Sequence, residues 1–164
     1  TYLGQMSVDA LPDYFSVSDY SIVNCFAVVD LNGDGGKEVV LSVTDVAADL
    51  GGYMVLYWKD DGDMVYGRPS NWRSFWDLKT DGTFQWSDPT GSQVGFGTFN
   101  PDTGEIDPIS YAEGPLGQDY DIFVVEGRRT TEAEYWEFSA QQDAKSNAVW
   151  YDFTPKNIKA VLQY

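Results

Sequence analysis

Phe26-Ala-Val-Val-Asp-Leu-Asn-Gly-Asp-Gly-Gly-Lys-Glu-Val-Val-Leu41 places an acidic, glycine-rich loop between two apolar segments. The apolar segments have the β-branched composition that is typical of strands. Counted from the start of the loop, its oxygen-bearing side chains stand at positions 1, 3, 5 and 9, and they are Asp30, Asn32, Asp34 and Glu38. Ca²⁺ takes about six to eight oxygen ligands. The spacing therefore predicts a calcium site in which Gly35 lets the chain reverse and the Gly36 carbonyl is a further ligand.

A bare hairpin turn is the alternative interpretation of this loop. Asn32-Gly33 and Asp34-Gly35 are dipeptides that form tight turns without any metal. However, three carboxylates within nine residues repel each other unless a cation neutralises them, and the loop itself supplies only Lys37. The charge therefore favours calcium. Because the loop ties two predicted core strands, we expect the ion to be structural rather than catalytic.

The loop resembles the DxDGDGxxE calcium loops of FG-GAP and VCBS-type extracellular proteins. It is more similar still to the D-[IL]-[DN]-G-D-G-x-x-E-[LV] pattern of secreted proteins and lipoproteins of unknown function in Gram-positive gut bacteria. The resemblance covers about a tenth of the chain. It implies an extracellular or cell-surface bacterial location and the following calcium ligands: the side chains of Asp30, Asn32, Asp34 and Glu38, and the carbonyl of Gly36. The loop departs from an EF-hand, because position 12 is Leu41 instead of a bidentate glutamate.

Composition limits the class of protein. The 164 residues fit one domain, 1–164, and 43% of them are hydrophobic, as expected of a folded chain. The formal charge of −16, with no histidine, argues against binding to nucleic acid or to anionic membranes. No apolar run is long enough to span a bilayer. Cys25 is the only cysteine, so it forms no internal disulfide, and a start at Thr1 without a leader is expected of a mature or trimmed chain.

Hairpin signals dominate the middle of the chain. Residues 56–66 and 76–86 align with each other, and each has Asp-Gly at its centre, at Asp61-Gly62 and Asp81-Gly82. Asp-Gly between β-rich runs is a strong hairpin signal. We expect a third hairpin around 100–104 and a further strand over 120–126. The predicted core is therefore an antiparallel meander.

The last third of the chain changes to a helix-strand-helix pattern. Thr131-Glu-Ala-Glu134 fits a capping box that opens a helix to about Lys145. Its predicted buried stripe is narrow and consists of Ala133, Trp136, Ala140 and Ala144. Thr154-Pro155 predicts the start of a final helix. Together these signals predict a β-rich α+β domain with helices near its C-terminal end.

Most catalytic templates are absent from the sequence. Without histidine there is no Ser-His-Asp triad and no common zinc site, and the chain has no glycine-rich phosphate loop. Paired carboxylates of the kind that glycosidases use stay open. The conceivable members are Asp77, Glu113, Asp119, Asp121 and Glu126, but their spacing singles out no pair. Solvated surface carboxylates are the better interpretation, and an enzyme is the less favoured one.

Aromatic residues make up 16% of the chain. Tryptophans cluster around the first two hairpins and form a candidate ligand platform, which consists of Trp58, Trp72, Trp76 and Trp86. Such rings stack on sugars and anchor protein interfaces. The alternative, which is favoured, is that they fill a β-core. If Trp76 and Trp86 pair across their hairpin, a structural role is indicated.

Three functions fit this sequence. The first is a calcium-stabilised extracellular or cell-surface domain that binds a glycan or another surface protein. The second is a calcium-requiring extracellular hydrolase that acts on polysaccharide through paired carboxylates. The third is an accessory domain with no ligand beyond the ion. Exposed tryptophans beside two facing carboxylates would indicate the hydrolase, whereas exposed rings alone would indicate binding.

Overall fold

The computed structural model describes residues 21–45, 50–58, 65–71, 75–100, 103–115 and 119–162. In this part of the chain every neighbouring pair of strands within the two sheets is antiparallel. Two helices accompany the sheets, so the fold is β-rich α+β, as predicted. The described residues fall into two compact units. The interpretation as one domain stays a prediction.

The first unit comprises Thr1–Asp30, Gly35–Trp72 and Ala148–Tyr164. Its sheet has the strand order β10-β1-β2-β3-β4. The strands are β1 (Ser21–Val29), β2 (Glu38–Asp45), β3 (Leu50–Trp58), β4 (Val65–Asn71) and β10 (Tyr151–Asp152), and helix α2 spans Pro155–Leu162. The first four strands form the predicted meander, and β10 is added beside β1.

Both faces of the central strands of this sheet are buried. On one face Phe26, Leu41 and Leu56 form a core on which Ile158 and Val161 of α2 pack. On the other face three residues from neighbouring strands, Ala27, Val40 and Val55, have no exposed surface. The middle of β1 is thus covered on both sides.

The second unit comprises Leu31–Asp34 and Arg73–Asn147. Its sheet has the order β5-β6-β7-β8-β9 and is again a meander. The strands are β5 (Phe84–Ser87), β6 (Gln93–Asn100), β7 (Glu105–Glu113), β8 (Ile122–Val125) and β9 (Arg128–Arg129), and helix α1 spans Glu132–Asp143.

Helix α1 begins as the sequence predicts but buries a different side. Thr131 caps it, and Glu134 completes the capping box by accepting a bond from the Thr131 backbone N–H. The buried side chains are Tyr135, Ser139 and Gln142. The four residues predicted to form the buried stripe, Ala133, Trp136, Ala140 and Ala144, are all exposed, so that prediction was wrong. The physical reason is Tyr135, which packs on Phe123 and Ala112 of the sheet and donates its hydroxyl to the Val94 carbonyl.

Two of the three predicted hairpins can be followed completely or nearly so. Around Asp81-Gly82, Lys79 N donates to Thr83 O at 2.7 Å, and Gly82 has a φ of 82°. Strands β6 and β7 pair up to Asn100 and Glu105, as expected of the third hairpin. Strands β3 and β4 also pair, but the turn at Asp61-Gly62 lies outside the described residues. No helix in the described part of the chain is long and apolar enough to cross a membrane.

Candidate metal site

The loop of residues 30–38, which we call the calcium loop after its predicted ligand, connects β1 to β2. Hydrogen bonds between its own residues close it. Asp30 follows the last residue of β1, and its Oδ2 accepts a bond from Gly35 N at 2.9 Å. Asn32 Oδ1 accepts a bond from Asp34 N at 3.1 Å, and Asn32 Nδ2 donates to Asp34 Oδ2 at 2.7 Å. Gly33 and Gly35 have φ values of 79° and 91°, which only glycine adopts without strain. Asp30 and Gly35, at positions 1 and 6 of the loop, are thus joined by a direct hydrogen bond.

Burial differs among the predicted ligands. Asn32, Asp34 and Gly36 are exposed, and Asp30 is half-buried. Glu38 is only 5% exposed, because it is the first residue of β2 and pairs with the buried Val29. The loop thus presents exposed oxygens at its middle and a buried carboxylate at its end.

The donor set of the loop fits a hard cation in kind, because all its side-chain donors are oxygens. In the described residues, however, no three side chains of Asp, Glu, Cys or His gather closely enough to hold a metal ion. Binding would therefore require Asp30, Asp34 and Glu38 to approach each other. Leu41, at the position where an EF-hand has its glutamate, is 1% exposed and belongs to the core. Any ion here would therefore be held without a ligand at position 12.

A second turn in the chain has the same hydrogen bond between its first and sixth residues. This turn joins β5 to β6, and Asp88 Oδ1 accepts a bond from Gln93 N at 2.8 Å. Thr90 and Ser92, at its positions 3 and 5, both donate hydroxyl bonds to Asp88 Oδ2. Gly91, at position 4, has a φ of 74°, like Gly33 in the calcium loop. This match was not predicted, although the sequence contains a signal for it, because Asp-x-Thr-Gly-Ser at 88–92 aligns with Asp-x-Asn-Gly-Asp at 30–34.

The charge on Asp88 is stabilised by hydrogen bonds within its own turn. Partial burial raises the pKa of Asp88, but the bonds from Thr90, Gln93 and Ser92 together lower that pKa below its ordinary value. Donors at positions 3 and 5 therefore stabilise the ionised carboxylate. In the calcium loop the same two positions carry Asn32 and Asp34. That loop consequently has more negative charge and fewer hydroxyl donors than its counterpart.

Two of the four tryptophans of the predicted platform, Trp76 and Trp86, can be described. Trp86 is 6% exposed, and the missing Cβ of Gly97 makes room for its ring, so Trp86 is a core residue. Trp76 is half-buried, and its Nε1 donates to Gln85 Oε1 at 2.7 Å. Trp76 pairs with Gln85 rather than with Trp86 across the hairpin. Trp72 and the side chain of Trp58 lie outside the described part of the chain.

The conceivable catalytic carboxylates have structural settings. Asp77 pairs with the buried Lys79 at 2.8 Å. Glu113 accepts a bond from Gln93 Nε2 at 2.8 Å, and its carbonyl accepts one from Asp121 N at 3.0 Å. Asp119 and Glu126 are exposed residues with positive φ. These settings favour structural and surface roles over catalysis.

A buried lysine connects the Asp81-Gly82 hairpin to the end of α1. Lys79 is 2% exposed, and its Nζ donates to the Asp143 carbonyl at 3.1 Å and to Asn147 Oδ1 at 2.8 Å. Gln85 Nε2 also donates to Asp143 Oδ1 at 2.7 Å. Since α1 has no basic residue in its own last turn, the Lys79 ammonium supplies the positive charge that favours a helix C-terminus.

Comparison with protein-family models, with curated proteins and with solved structures found no match. A function is therefore inferred from the residues of this chain. Among them, the calcium loop is the candidate with a specific donor set, and the Asp88 turn provides an internal reference for it.

Proposed function

We propose that this chain is a calcium-stabilised binding domain that acts outside a bacterial cell or on its surface. In this proposal, calcium binds the loop between β1 and β2 through the side chains of Asp30, Asn32, Asp34 and Glu38 and the carbonyl of Gly36. The ion has a structural role, because the loop joins two strands of the buried sheet. The binding partner is a glycan or another surface protein.

The observation that carries the proposal is the bond from Gly35 N to Asp30 Oδ2 at 2.9 Å. This bond closes the loop, so residues 30–35 already form a compact turn in which oxygen side chains occupy alternate positions. A preformed turn loses less conformational entropy when it binds an ion. The exposure of Asn32 and Asp34 supports the proposal further, since a cation can reach both side chains from solvent.

The contrast with the Asp88 turn also supports a cation. At equivalent positions, that turn uses the hydroxyls of Thr90 and Ser92 to satisfy its carboxylate. The calcium loop has an amide and a carboxylate at these positions. Its nine residues include three carboxylates and one lysine. Adding a divalent ion reduces this repulsion. Extracellular calcium is abundant enough to occupy sites of modest affinity.

Urea unfolding in excess calcium and in chelator tests the proposal. With free calcium about a hundredfold above Kd, bound calcium should stabilise the wild-type protein by about 2.7 kcal/mol. Asp30→Ala should abolish this difference. Isothermal titration of the two proteins with calcium measures the binding itself and should give heat only for the wild type.

Asp88→Ala is the matched control, because it removes the same bond between the first and sixth residues of a turn. Both variants should lose some stability in chelator, but Asp88→Ala should keep the full response to calcium. Equal unfolding curves of the wild type in calcium and chelator would refute the proposal. A full calcium response in Asp30→Ala would place the ion elsewhere.

A further inference from the structure

Helix α1 has an apolar side that faces away from its own sheet. The residues of this side are Ala133, Trp136, Ala140 and Ala144, which we call the outer face, and all four are exposed. Meanwhile the helix buries the polar residues Ser139 and Gln142. With 3.6 residues per turn, the outer face covers about 80° of the helix and is about 17 Å long. An apolar stripe of this kind normally packs against something.

Trp136 is held in place on this face. Trp136 is 46% exposed, yet its indole packs edge-on against the ring of buried Tyr135 at 4.9 Å between centroids. Its Nε1 also donates to Glu132 Oε1 at 3.3 Å. A fixed aromatic ring loses little entropy on binding, which is why tryptophans are frequent anchors of interfaces. The three alanines beside it allow a partner backbone to approach closely.

The charged side chains of α1 itself have one sign; Lys145, which follows the helix, is paired with Asp81 at 2.6 Å. The charged residues of α1 are Glu132, Glu134, Glu137 and Asp143, and the helix contains no Lys or Arg. Glu132 and Asp143 lie along one border of the outer face by helical spacing, and Glu137 lies along the other. A complementary partner therefore needs positive charge on both sides of an apolar ridge.

We propose that the outer face of α1 binds a cationic amphipathic helix of a partner protein. This inference rests on the proposed binding function and selects a protein over a glycan, because the alanines offer no hydrogen-bonding side chains to sugar hydroxyls. The chain's charge of −16 disfavours a second copy of itself as the occupant. The binding combines packing on Trp136 with ion pairs at the two acidic borders.

Two synthetic peptides test this inference by isothermal titration at moderate salt. Both are amphipathic helices with a leucine ridge; one has lysine and the other glutamate at all flanking positions. The lysine peptide should bind and the glutamate peptide should not. Trp136→Ala should weaken binding of the lysine peptide at least tenfold, and Ala140→Glu, which adds bulk and charge to the ridge, should do the same. Circular dichroism verifies that both variants fold.

Two matched variants separate specific docking from general attraction to an acidic protein. Val149→Ala changes the other large exposed hydrophobic residue of the described chain, and Glu105→Gln removes a carboxylate on β7; both should bind the lysine peptide as the wild type does. Equal affinity of Trp136→Ala and wild type, or no binding at all, would overturn the inference. Self-association of the wild type that Trp136→Ala abolishes would overturn the choice of partner. The affinity for the lysine peptide should be the same in calcium and in chelator. Failure of this inference is therefore distinguishable from failure of the calcium proposal.

Discussion

The calcium loop and the Asp88 turn share one hydrogen-bonded skeleton but treat charge in opposite ways. In each, the first residue is an aspartate that accepts a bond from the amide of the sixth, at 2.9 Å from Gly35 and 2.8 Å from Gln93. In each, a glycine with positive φ occupies the fourth position. The difference lies in positions 3 and 5, which carry hydroxyl donors in one turn and an amide and a carboxylate in the other.

This difference shows that backbone geometry alone does not decide whether a turn binds a metal. Hydroxyl donors at positions 3 and 5 stabilise the ionised form of the leading aspartate, as the lowered pKa of Asp88 indicates. At the same positions the calcium loop has the neutral amide of Asn32, which donates to Asp34, and the additional carboxylate of Asp34. We therefore expect a cation from solution to stabilise the second kind of turn more than the first, because the second has more carboxylates.

The largest effect on calcium-dependent stability is expected when the residues at positions 3 and 5 of the calcium loop are replaced by those of the Asp88 turn. The double variant Asn32→Thr/Asp34→Ser gives this loop the donors of the Asp88 turn. Because one of the proposed carboxylate ligands would be lost and the amide ligand would be replaced by a hydroxyl, we expect the calcium-dependent stabilisation of about 2.7 kcal/mol to disappear. Urea unfolding in calcium and in chelator measures the change.

The same experiment has a specific contradicting outcome. In chelator the double variant should be at least as stable as the wild type, because one source of repulsion is gone. Asn32→Gln, which keeps the amide but displaces it, serves as a control for side-chain replacement and should be destabilised in chelator. A double variant that still responds fully to calcium would contradict the claim that positions 3 and 5 distinguish the two turns.

Much of the fold could be predicted because its signals are local. Asp81-Gly82 lies inside its own hairpin, and Thr131 and Glu134 of the capping box are three residues apart. The buried side of α1 could not be predicted, since it depends on Tyr135 meeting Phe123 and the Val94 carbonyl, which is 41 residues away. Alanine and tryptophan at helical spacing were a misleading signal for the core.

The candidate site shows the same limit. The ligand pattern of the calcium loop occupies nine consecutive residues and could be recognised directly. The environment of Lys79 could not, because its partners Asp143 and Asn147 are 64 and 68 residues away. The burial of Trp86 likewise depends on Gly97 in the neighbouring strand. Interactions between neighbouring residues can be predicted from a sequence, whereas side-chain partners that the fold brings together cannot.

Glycine at position 4 gives the second prediction, which tests whether the two backbones are equivalent. Gly33→Ala and Gly91→Ala each place a Cβ at positive φ in open space, with no atom within 4 Å to clash with it. The cost is therefore conformational and should be about 1–2 kcal/mol in each variant. Unfolding in chelator should give similar losses for the two. A loss in one turn only would mean that their skeletons differ in solution.

The smallest effect concerns the hydroxyl of Thr90, and its dependence on pH identifies the mechanism. Thr90→Val removes a donor to Asp88, which should cost about 0.5 kcal/mol at pH 7. The pKa of folded Asp88 lies below its ordinary value of 3.8, so its stabilisation is present above that pH and is lost as the pH falls through the folded pKa. The stabilities of the two proteins should therefore differ at pH 7 and converge below about pH 3.8.

Thr103→Val is the control, because the Thr103 hydroxyl accepts a bond from the Glu105 amide. The stability that this variant loses should not vary with pH. A constant difference between wild type and Thr90→Val from pH 7 downward would mean that the Thr90 hydroxyl does not act through the charge of Asp88, and the contrast between donor and acceptor turns would lose its electrostatic basis.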